Sequence, residues 1–456
     1  SMKPKFYLLT LGCQMNKNDS ERIVSFLLSF GFEKTSDPLT ADLLIINTCS
    51  VRQSAEDRVY SLITNWQKLR EKKNNLIIAV TGCMPGRDID GKIRKKLPGV
   101  DLFFPIDELV YLPTRLKALN PDLLSYEVDD LSDYLLIDPK RSEKHRAFIT
   151  IQTGCNNFCT YCVVPSARGS ERNRRVKDVM KEIIAAVKSG VKEVVLLGQV
   201  VNNYRAPDPE NFCNCNPFFN EVIPIRKKDA KFNKDFAALL WEINQVEGLE
   251  RLHWTAADPQ YFNDYLIQAL TLPKQVNYLH LPVQSGDNDI LKKMNRHYTR
   301  EEYIDLVEKI KKVRPTIALG TDIIVGFCGE TEEQFKNTLE LYRQCQFDIS
   351  YPARYSERSG TTAAKAFKDD VPQKVKKERW EKIQSLMEEI TEQKNRAYLG
   401  QIVSVLVDKC EKGVCIGYSS EMKLVHFAGR EEFVGRVVPV KINWTDTWLL
   451  RGVIEK

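Results

Sequence analysis

The chain has 456 residues, enough for about two to four domains, and with 43% hydrophobic and 28% charged residues it can bury a sizeable globular core. No stretch approaches the ~20 consecutive apolar residues of a membrane helix and no cleavable signal opens the chain, so a cytoplasmic protein without membrane partners is expected. The net charge of +6 admits a nucleic-acid partner, and twelve cysteines in such a chain point to thiols used for metal or catalysis rather than to a disulfide framework.

In chain order, Phe6–Leu11 reads as a strand and Ser20–Phe30 as a helix with Ile23, Phe26, Leu27 and Phe30 on one face. Leu43–Ile46 is a buried-strand run, Ala55–Leu69 is helical by period, and Leu76–Val80 is another strand. This order predicts an α/β domain with a parallel sheet over residues 2–120. Residues 121–140 read as a linker, acidic at Glu127, Asp129, Asp130 and Asp133. A second α/β pattern covers 141–392. Its strands are Phe148–Gln152, Glu193–Leu197, Arg251–Thr255, Tyr278–Leu281 and Ala318–Val325, with helices such as Val176–Lys188 and Arg300–Val313 between them. About six β–α units predict a partial (β/α)6 barrel, with an open doubly wound sheet as the alternative. Asn211–Asn233, with Cys213, Cys215 and the basic run Arg226–Lys228, reads as a surface insertion. Val371–Tyr398 is a long charged helix striped by Trp380, Ile383, Met387 and Ile390. Residues 393–456 then predict a small all-β barrel, with Val403, Val405 and Val407 on one inner face and Val438, Val440 and Ile442 on another; Pro439 suggests an edge strand or a bulge.

Two cysteine sets carry the chemistry. Cys155, Cys159 and Cys162 follow the first strand of the second domain, at spacings that one tight loop can bring to three corners of an iron–sulfur cube. Three thiolates leave one iron open to another ligand, and Phe158 and Tyr161 would shield the site. Zinc is the competing reading, but it asks for four protein ligands, and the nearest histidine, His145, lies across a strand. Cys13, Cys49 and Cys83 each follow a strand of the first domain, and loops after the carboxyl ends of parallel strands share one sheet edge. A shared metal site and three ordinary buried thiols both fit that pattern. Cys328, Cys345, Cys410 and Cys415 read as structural.

The CxxxCxxC segment resembles the signature of the radical S-adenosylmethionine (SAM) superfamily. That resemblance implies a [4Fe–4S] cluster on Cys155, Cys159 and Cys162 whose open iron chelates SAM and whose electron cleaves it to a 5′-deoxyadenosyl radical. It also implies SAM contacts from Gly198 and Gln199, from Gln284 and Ser285, and from Asp322 and Gly326. The segments around Cys13 (Gly-Cys-Gln-Met-Asn), Cys49 (Asn-Thr-Cys-Ser-Val-Arg) and Cys83 resemble the methylthiotransferases, in which three cysteines hold an auxiliary [4Fe–4S] cluster. His280-Leu-Pro-Val-Gln-Ser-Gly and the Cys155 segment resemble the MiaB branch of that family, and the terminal barrel resembles a TRAM RNA-binding module. Ser359 stands where the branch usually shows proline.

The resemblance implies transfer of a methylthio group to C2 of N6-isopentenyladenosine at position 37, beside the anticodon of tRNA. One SAM methylates the sulfur and a second makes the radical. An adenine C2–H is not acidic, so a side-chain base cannot remove it and radical abstraction is required. Beyond the cluster ligands no catalytic residue is expected. Implied partners are the anticodon stem-loop and a reductant such as flavodoxin or ferredoxin, with the chain a monomer. Arg168, Arg172, Arg174 and Arg175 are candidate phosphate contacts, together with Lys177. Trp444, Trp448 and Phe427 could stack on bases or fill the barrel core. Other readings are a methylthiotransferase for threonylcarbamoyladenosine tRNA or a ribosomal-protein aspartate, and a non-catalytic zinc-containing RNA-binding protein.

Overall fold

The computed structural model describes residues 3–50, 53–124, 131–219 and 234–455. The acidic positions 127, 129 and 130 and the basic run at 226–228 lie outside the described residues. Two compact units emerge. The first comprises Ser1–Ser142, Gln152–Phe158 and Cys162–Arg172; the second comprises Glu143–Ile151, Cys159–Tyr161 and Asn173–Lys456.

The first unit is built on five parallel strands: β1 (Lys5–Leu11), β2 (Glu33–Lys34), β3 (Leu43–Thr48), β4 (Ile77–Gly82) and β5 (Leu102–Phe103). They lie in the order β2-β1-β3-β4-β5. The pleat sends Leu43 and Ile45 to one face, where they meet Phe6, Ile23 and Leu27, and Leu44 and Ile46 to the other, beside Val59, Ile63 and Trp66. Helices therefore cover both faces, which is why β3 is buried along its whole length. The chain order reverses between β1 and β3, and such a switch point opens a crevice beyond the carboxyl ends of the strands.

Helix α1 (Gln14–Ser29) begins six residues before the expected Ser20, because its first turns bury Asn16, Asn18, Asp19 and Ser20 and not an apolar stripe. Helix α2 (Gln53–Leu69) follows β3, and the short helices α3 (Cys83–Arg87), α4 (Lys92–Lys95) and α5 (Leu112–Leu119) follow β4 and β5. The stretch expected as a linker is core on both flanks. Leu123, Leu124, Tyr134, Leu135 and Ile137 are buried with α1 and α5, and buried Arg22 donates to the carbonyls of Leu135 and Ile137. This unit also takes in β7 (Gln152–Thr153) and α6 (Val164–Arg168).

In the second unit β6 (Arg146–Thr150), β9 (Glu193–Leu197) and β10 (Arg251–Trp254) form one parallel sheet; β11 (Tyr278–His280), β12 (Ala318–Val325) and β13 (Ile349–Arg354) form another. The two-residue strand β8 (Arg172–Asn173) precedes β9. Leu252 N–H donates to Lys274 O (2.7 Å) and Val276 N–H to Leu252 O (3.0 Å), closing the seam between the sheets. Strands follow one another in space as in sequence, so the doubly wound alternative gives way to the partial barrel. The helices α7 (Val176–Lys188), α8 (Asp235–Asn244), α9 (Asp264–Ala269), α10 (Asn288–Lys293), α11 (Arg300–Val313), α12 (Glu332–Cys345), α13 (Thr362–Ala366) and α14 (Gln373–Arg396) complete it. Among the described residues, no helix is long and apolar enough to cross a membrane.

The tail is a closed five-stranded barrel: β14 (Ile402–Glu411), β15 (Val414–Ser419), β16 (Leu424–Ala428), β17 (Val437–Thr445) and β18 (Leu450–Ile454), ordered β14-β15-β16-β18-β17. Its core holds the two expected valine–isoleucine faces and Phe427. Strand β17 is paired on both sides and is not an edge. It tolerates Pro439 because the proline carbonyl accepts from Glu455 N, so its imino nitrogen faces the side where β18 has already ended at Ile454. The bulge sits further on, between Ile442 and Trp444. Arg251, at the start of β10, donates to the carbonyls of Ser404 and Tyr418, and Asp408 pairs with His145 and Arg146 at the start of β6. The small barrel is thus clamped to the amino ends of the parallel strands. Cys410 and Cys415 form a disulfide across the β14–β15 hairpin, and Cys213 and Cys215 form another in the described part of the insertion.

Candidate metal centres and active site

The first thiol set is positioned by strand register. Leu11, Thr48 and Gly82 are lateral neighbours on β1, β3 and β4, and the chain leaves that row directly into Gly12-Cys13, Cys49 and Cys83. Adjacent strands lie ~4.8 Å apart, so the three cysteines leave the sheet side by side, at its switch point. Gly12 makes this possible: a Cβ there would fall 2.9 Å from Cys49 Cβ and 2.2 Å from Asn16 Oδ1. Gly82 takes φ +102°, and a Cβ would meet the Thr48 carbonyl at 2.4 Å.

Cys13 caps the amino end of α1, and Asn16 Oδ1 accepts from its backbone N–H at 3.2 Å and from its thiol at 3.3 Å. The Cys13 thiol is pulled down to about 6. The hydrogen bond with Cys49 is the largest cause, and Asn16 and the charge of Arg168 add to it against burial. A helix amino end and a nearby guanidinium both favour thiolate. Cys83 is buried and pushed up by that burial, with Arg168 acting in the opposite sense. Asn16 and Asn47 brace the base of the site: Asn16 Nδ2 donates to Asn47 Oδ1 (3.2 Å), and Asn47 Nδ2 donates to Asn16 O (2.8 Å).

Arg168, a candidate phosphate contact by charge, is instead buried: Nε donates to Cys83 Sγ (3.3 Å), Nη2 to Asp19 Oδ2 (2.7 Å), and Nη1 has no partner, nor has Asp19 Oδ1. Helix α6 reaches Cys83 because Gly86 of α3 lies against it; a Cβ on Gly86 would stand 2.1 Å from Ala167 O.

The second set divides between the units. In the first, Cys155 is buried and its N–H donates to Gly169 O (3.1 Å), while the Cys162 sulfur accepts from Val164 N (3.4 Å). In the second, Cys159 Sγ accepts from Arg296 Nη1 at 3.2 Å. Arg296 is itself held by Asp258 Oδ2 (3.1 Å) and by Tyr298 OH (3.1 Å). Phe158, expected to shield this site, is 60% exposed; Tyr161 packs against the cluster of Met294 and Phe327.

Other expected contacts fall out differently. Gly198 and Gln199 are half-buried in the loop after β9. Gln284 adopts φ +69° and stitches its loop to β12, donating to Asp322 O and accepting from Ile324 N, each at 2.9 Å. Asp322 faces His280 Nε2 at 3.2 Å, and His280 Nδ1 lies 2.9 Å from Tyr278 OH. Ser285 is fully buried, and its hydroxyl accepts from Asp287 N–H, which shapes the loop. Gly326 is likewise internal: its N–H donates to Glu330 and a Cβ would meet Lys376 Cγ at 2.4 Å. Arg174 is half-buried, its Nη1 engaged by Glu182 Oε2 and Thr150 O. Arg172 and Arg175 are exposed, paired with Asp107 and Asp133 and with Asp178 respectively. Trp444 and Trp448 are exposed, with Arg451 4.4 Å over the Trp444 ring.

Each donor set is three thiols, the soft ligands that iron–sulfur clusters take. Among the described residues, no three His, Cys, Asp or Glu side chains converge closely enough to hold one metal ion. The buried, unpartnered Nη1 of Arg168 beside Cys83 fits an anionic group there. None of the six cysteines is disulfide-bonded.

Two family models match the chain. Residues 5–105 match "Uncharacterized protein family UPF0004", and residues 149–342 match "Radical SAM superfamily". The tRNA-2-methylthio-N(6)-dimethylallyladenosine synthase of Clostridium botulinum (strain Langeland) is 41% identical over 98% of this chain and 96% of its own length. The synthase of Clostridium tetani is 40% identical over 99% and 96%, and that of Acetivibrio thermocellus 39% over 100% and 92%. Among solved structures, the radical SAM methyltransferase TsrM from Kitasatospora setae shares the fold (TM-score 0.56, 13% identity, 80% of this chain and 77% of that one). So does the radical enzyme OxsB (TM-score 0.52, 13% identity, 83% and 56%). With about 40% identity along nearly its whole length, the chain belongs to the tRNA-2-methylthio-N(6)-dimethylallyladenosine synthase family of radical SAM methylthiotransferases.

Proposed function

We propose that this enzyme methylthiolates C2 of N6-isopentenyladenosine at position 37 of tRNA, with Cys155, Cys159 and Cys162 holding the radical SAM cluster and Cys13, Cys49 and Cys83 an auxiliary one. Full-length similarity to synthases of that name carries the reading. When bound, the two [4Fe–4S] clusters and SAM supply radical chemistry for an unactivated C–H bond and the sulfur that is transferred. The chain's own residues prepare the ground for both. The Cys49 contact, the α1 amino end and Arg168 favour the charged form of the Cys13 thiol. Arg296 and Asp258 orient Cys159. His280 and the Gln284 turn lie at and just beyond the carboxyl end of β11, the end of a β/α barrel where ligands bind, and Asp322 reaches His280 from the middle of β12.

In this reading the auxiliary site falls in residues 2–120, the radical core in 141–392 and an RNA-contacting, TRAM-like barrel in 393–456. The anticodon stem-loop meets Arg172, Arg175, Lys177 and the exposed Trp444, Trp448 and Arg451. Flavodoxin or ferredoxin is the reductant, and the enzyme works as a cytoplasmic monomer. The test is mass spectrometry of tRNA nucleosides from a strain lacking the gene. The expected result is loss of the 2-methylthio form with isopentenyladenosine retained. An unchanged isopentenyladenosine pool and undiminished 2-methylthio derivative would overturn it.

A further inference from the structure

Among the described residues, two arginines donate to a cysteine sulfur from a buried side-chain position, each with an aspartate behind it: Arg296 on Cys159 with Asp258, and Arg168 on Cys83 with Asp19. Arg168 lies six residues beyond Cys162, yet its side chain ends at the other thiol set, inside one compact unit. Its side chain is 2% exposed and that of Asp19 0%, so water offers neither group an alternative partner. Burying an ion pair is costly unless other groups use its remaining hydrogen-bonding capacity. Here the capacity is only partly used by the protein, since Nη1 and Asp19 Oδ1 lack partners. Three thiolates bound to a cluster concentrate negative charge, and N–H groups aimed at cluster sulfurs raise its reduction potential.

We propose that Arg168 is a positioning residue that sets the potential of the auxiliary centre. Its Nε–H holds the Cys83 sulfur, its charge offsets the electron added on reduction, and Asp19 fixes its orientation. The step concerned is a one-electron reduction by an external donor, with no bond made or broken. The proposal rests on the reading that Cys13, Cys49 and Cys83 hold a cluster.

The test uses the full chain carrying Cys155→Ala, Cys159→Ala and Cys162→Ala, reconstituted anaerobically with iron and sulfide. If this parent takes up no iron, the auxiliary-site reading fails, separately from the role of Arg168. With the parent loaded, dithionite titrations with redox mediators, read by electron paramagnetic resonance, give the midpoint potential. Arg168→Gln is expected to lower the reduction equilibrium constant at least tenfold, ~59 mV for one electron. Arg168→Lys keeps the charge without the Nε geometry and is expected to shift less. Circular dichroism establishes folding. Should Arg168→Gln not fold because Asp19 is stranded, the neutral pair Asp19→Asn with Arg168→Gln replaces it. A folded variant that loses iron relative to the parent supports the holding role. Potentials and spectra that match the parent in every folded variant overturn the proposal.

Discussion

Gly86→Ala tests whether α3 and α6 are as tightly joined as the structure shows. The added Cβ would stand 2.1 Å from Ala167 O and 2.8 Å from Ala167 C, so the helices must part by more than 1 Å, taking ~3.4 Å as an ordinary contact. Backbone atoms cannot rotate aside, and overpacking of this kind costs about 1–3 kcal/mol. Alanine recovers up to ~1 kcal/mol of helix propensity over glycine, though less in a five-residue helix. The expected net loss is about 1–2 kcal/mol, or roughly 2–8 °C in the melting of a unit of this size. Calorimetry of the iron-free full chain measures it. Because α6 carries Arg168, the same variant should also hold iron less well after reconstitution. An unchanged melting profile would show that the contact between α3 and α6 yields freely, and would remove the argument that Gly86 admits Arg168 to Cys83.

Further outcomes follow from other sites. Burial holds the Glu330 carboxyl up at about 7, against the N–H of Gly326 and the charge of Arg379. A carboxyl raised in this way adds stability below its ordinary value near ~4, and that contribution is lost as pH rises through 7. Glu330→Gln should therefore flatten the pH dependence of unfolding in that window by roughly 3 kcal/mol, read by urea titration from pH 4.5 to 8; an unaltered slope refutes it. Arg251→Met removes the donors to Ser404 O and Tyr418 O, and hydrogen exchange in β14 and β15 should speed up at least tenfold with β6 unaffected. Cys159→Ala should abolish SAM cleavage, whereas Cys49→Ala should leave cleavage running without sulfur insertion; full methylthiolation by Cys49→Ala would end the auxiliary assignment.

Legibility in the sequence tracks how each element is stabilised. Glu193–Leu197, Ala318–Val325, Val176–Lys188 and Arg300–Val313 have the bounds their patterns indicate, because apolar periodicity and clear ends define them; Thr299 and Glu302 cap the last reciprocally. Helix α1 starts early because its opening turns are chosen for the thiol site, so hydropathy is silent there. Charge alone does not separate Arg168, buried in an ion pair, and half-buried Arg174 from exposed Arg172 and Arg175, which are ion-paired as well. Asp19, Asp258 and Arg296 escape a sequence reading because a buried counterion far along the chain leaves no local pattern. The Gly-Cys-Gln-Met-Asn run does hold a signal for Asn16, three residues after the cysteine it caps.

The ladder from Leu11 through Thr48 to Gly82 has a practical meaning for the life of the enzyme. Small domains organised by their metal unfold when it leaves. Here backbone bonds of the sheet, and not the thiols, fix where the three cysteines emerge. On the proposed reading, a chain without iron should keep this sheet, so that chelation leaves the hydrogen-exchange protection of β1, β3 and β4 in place.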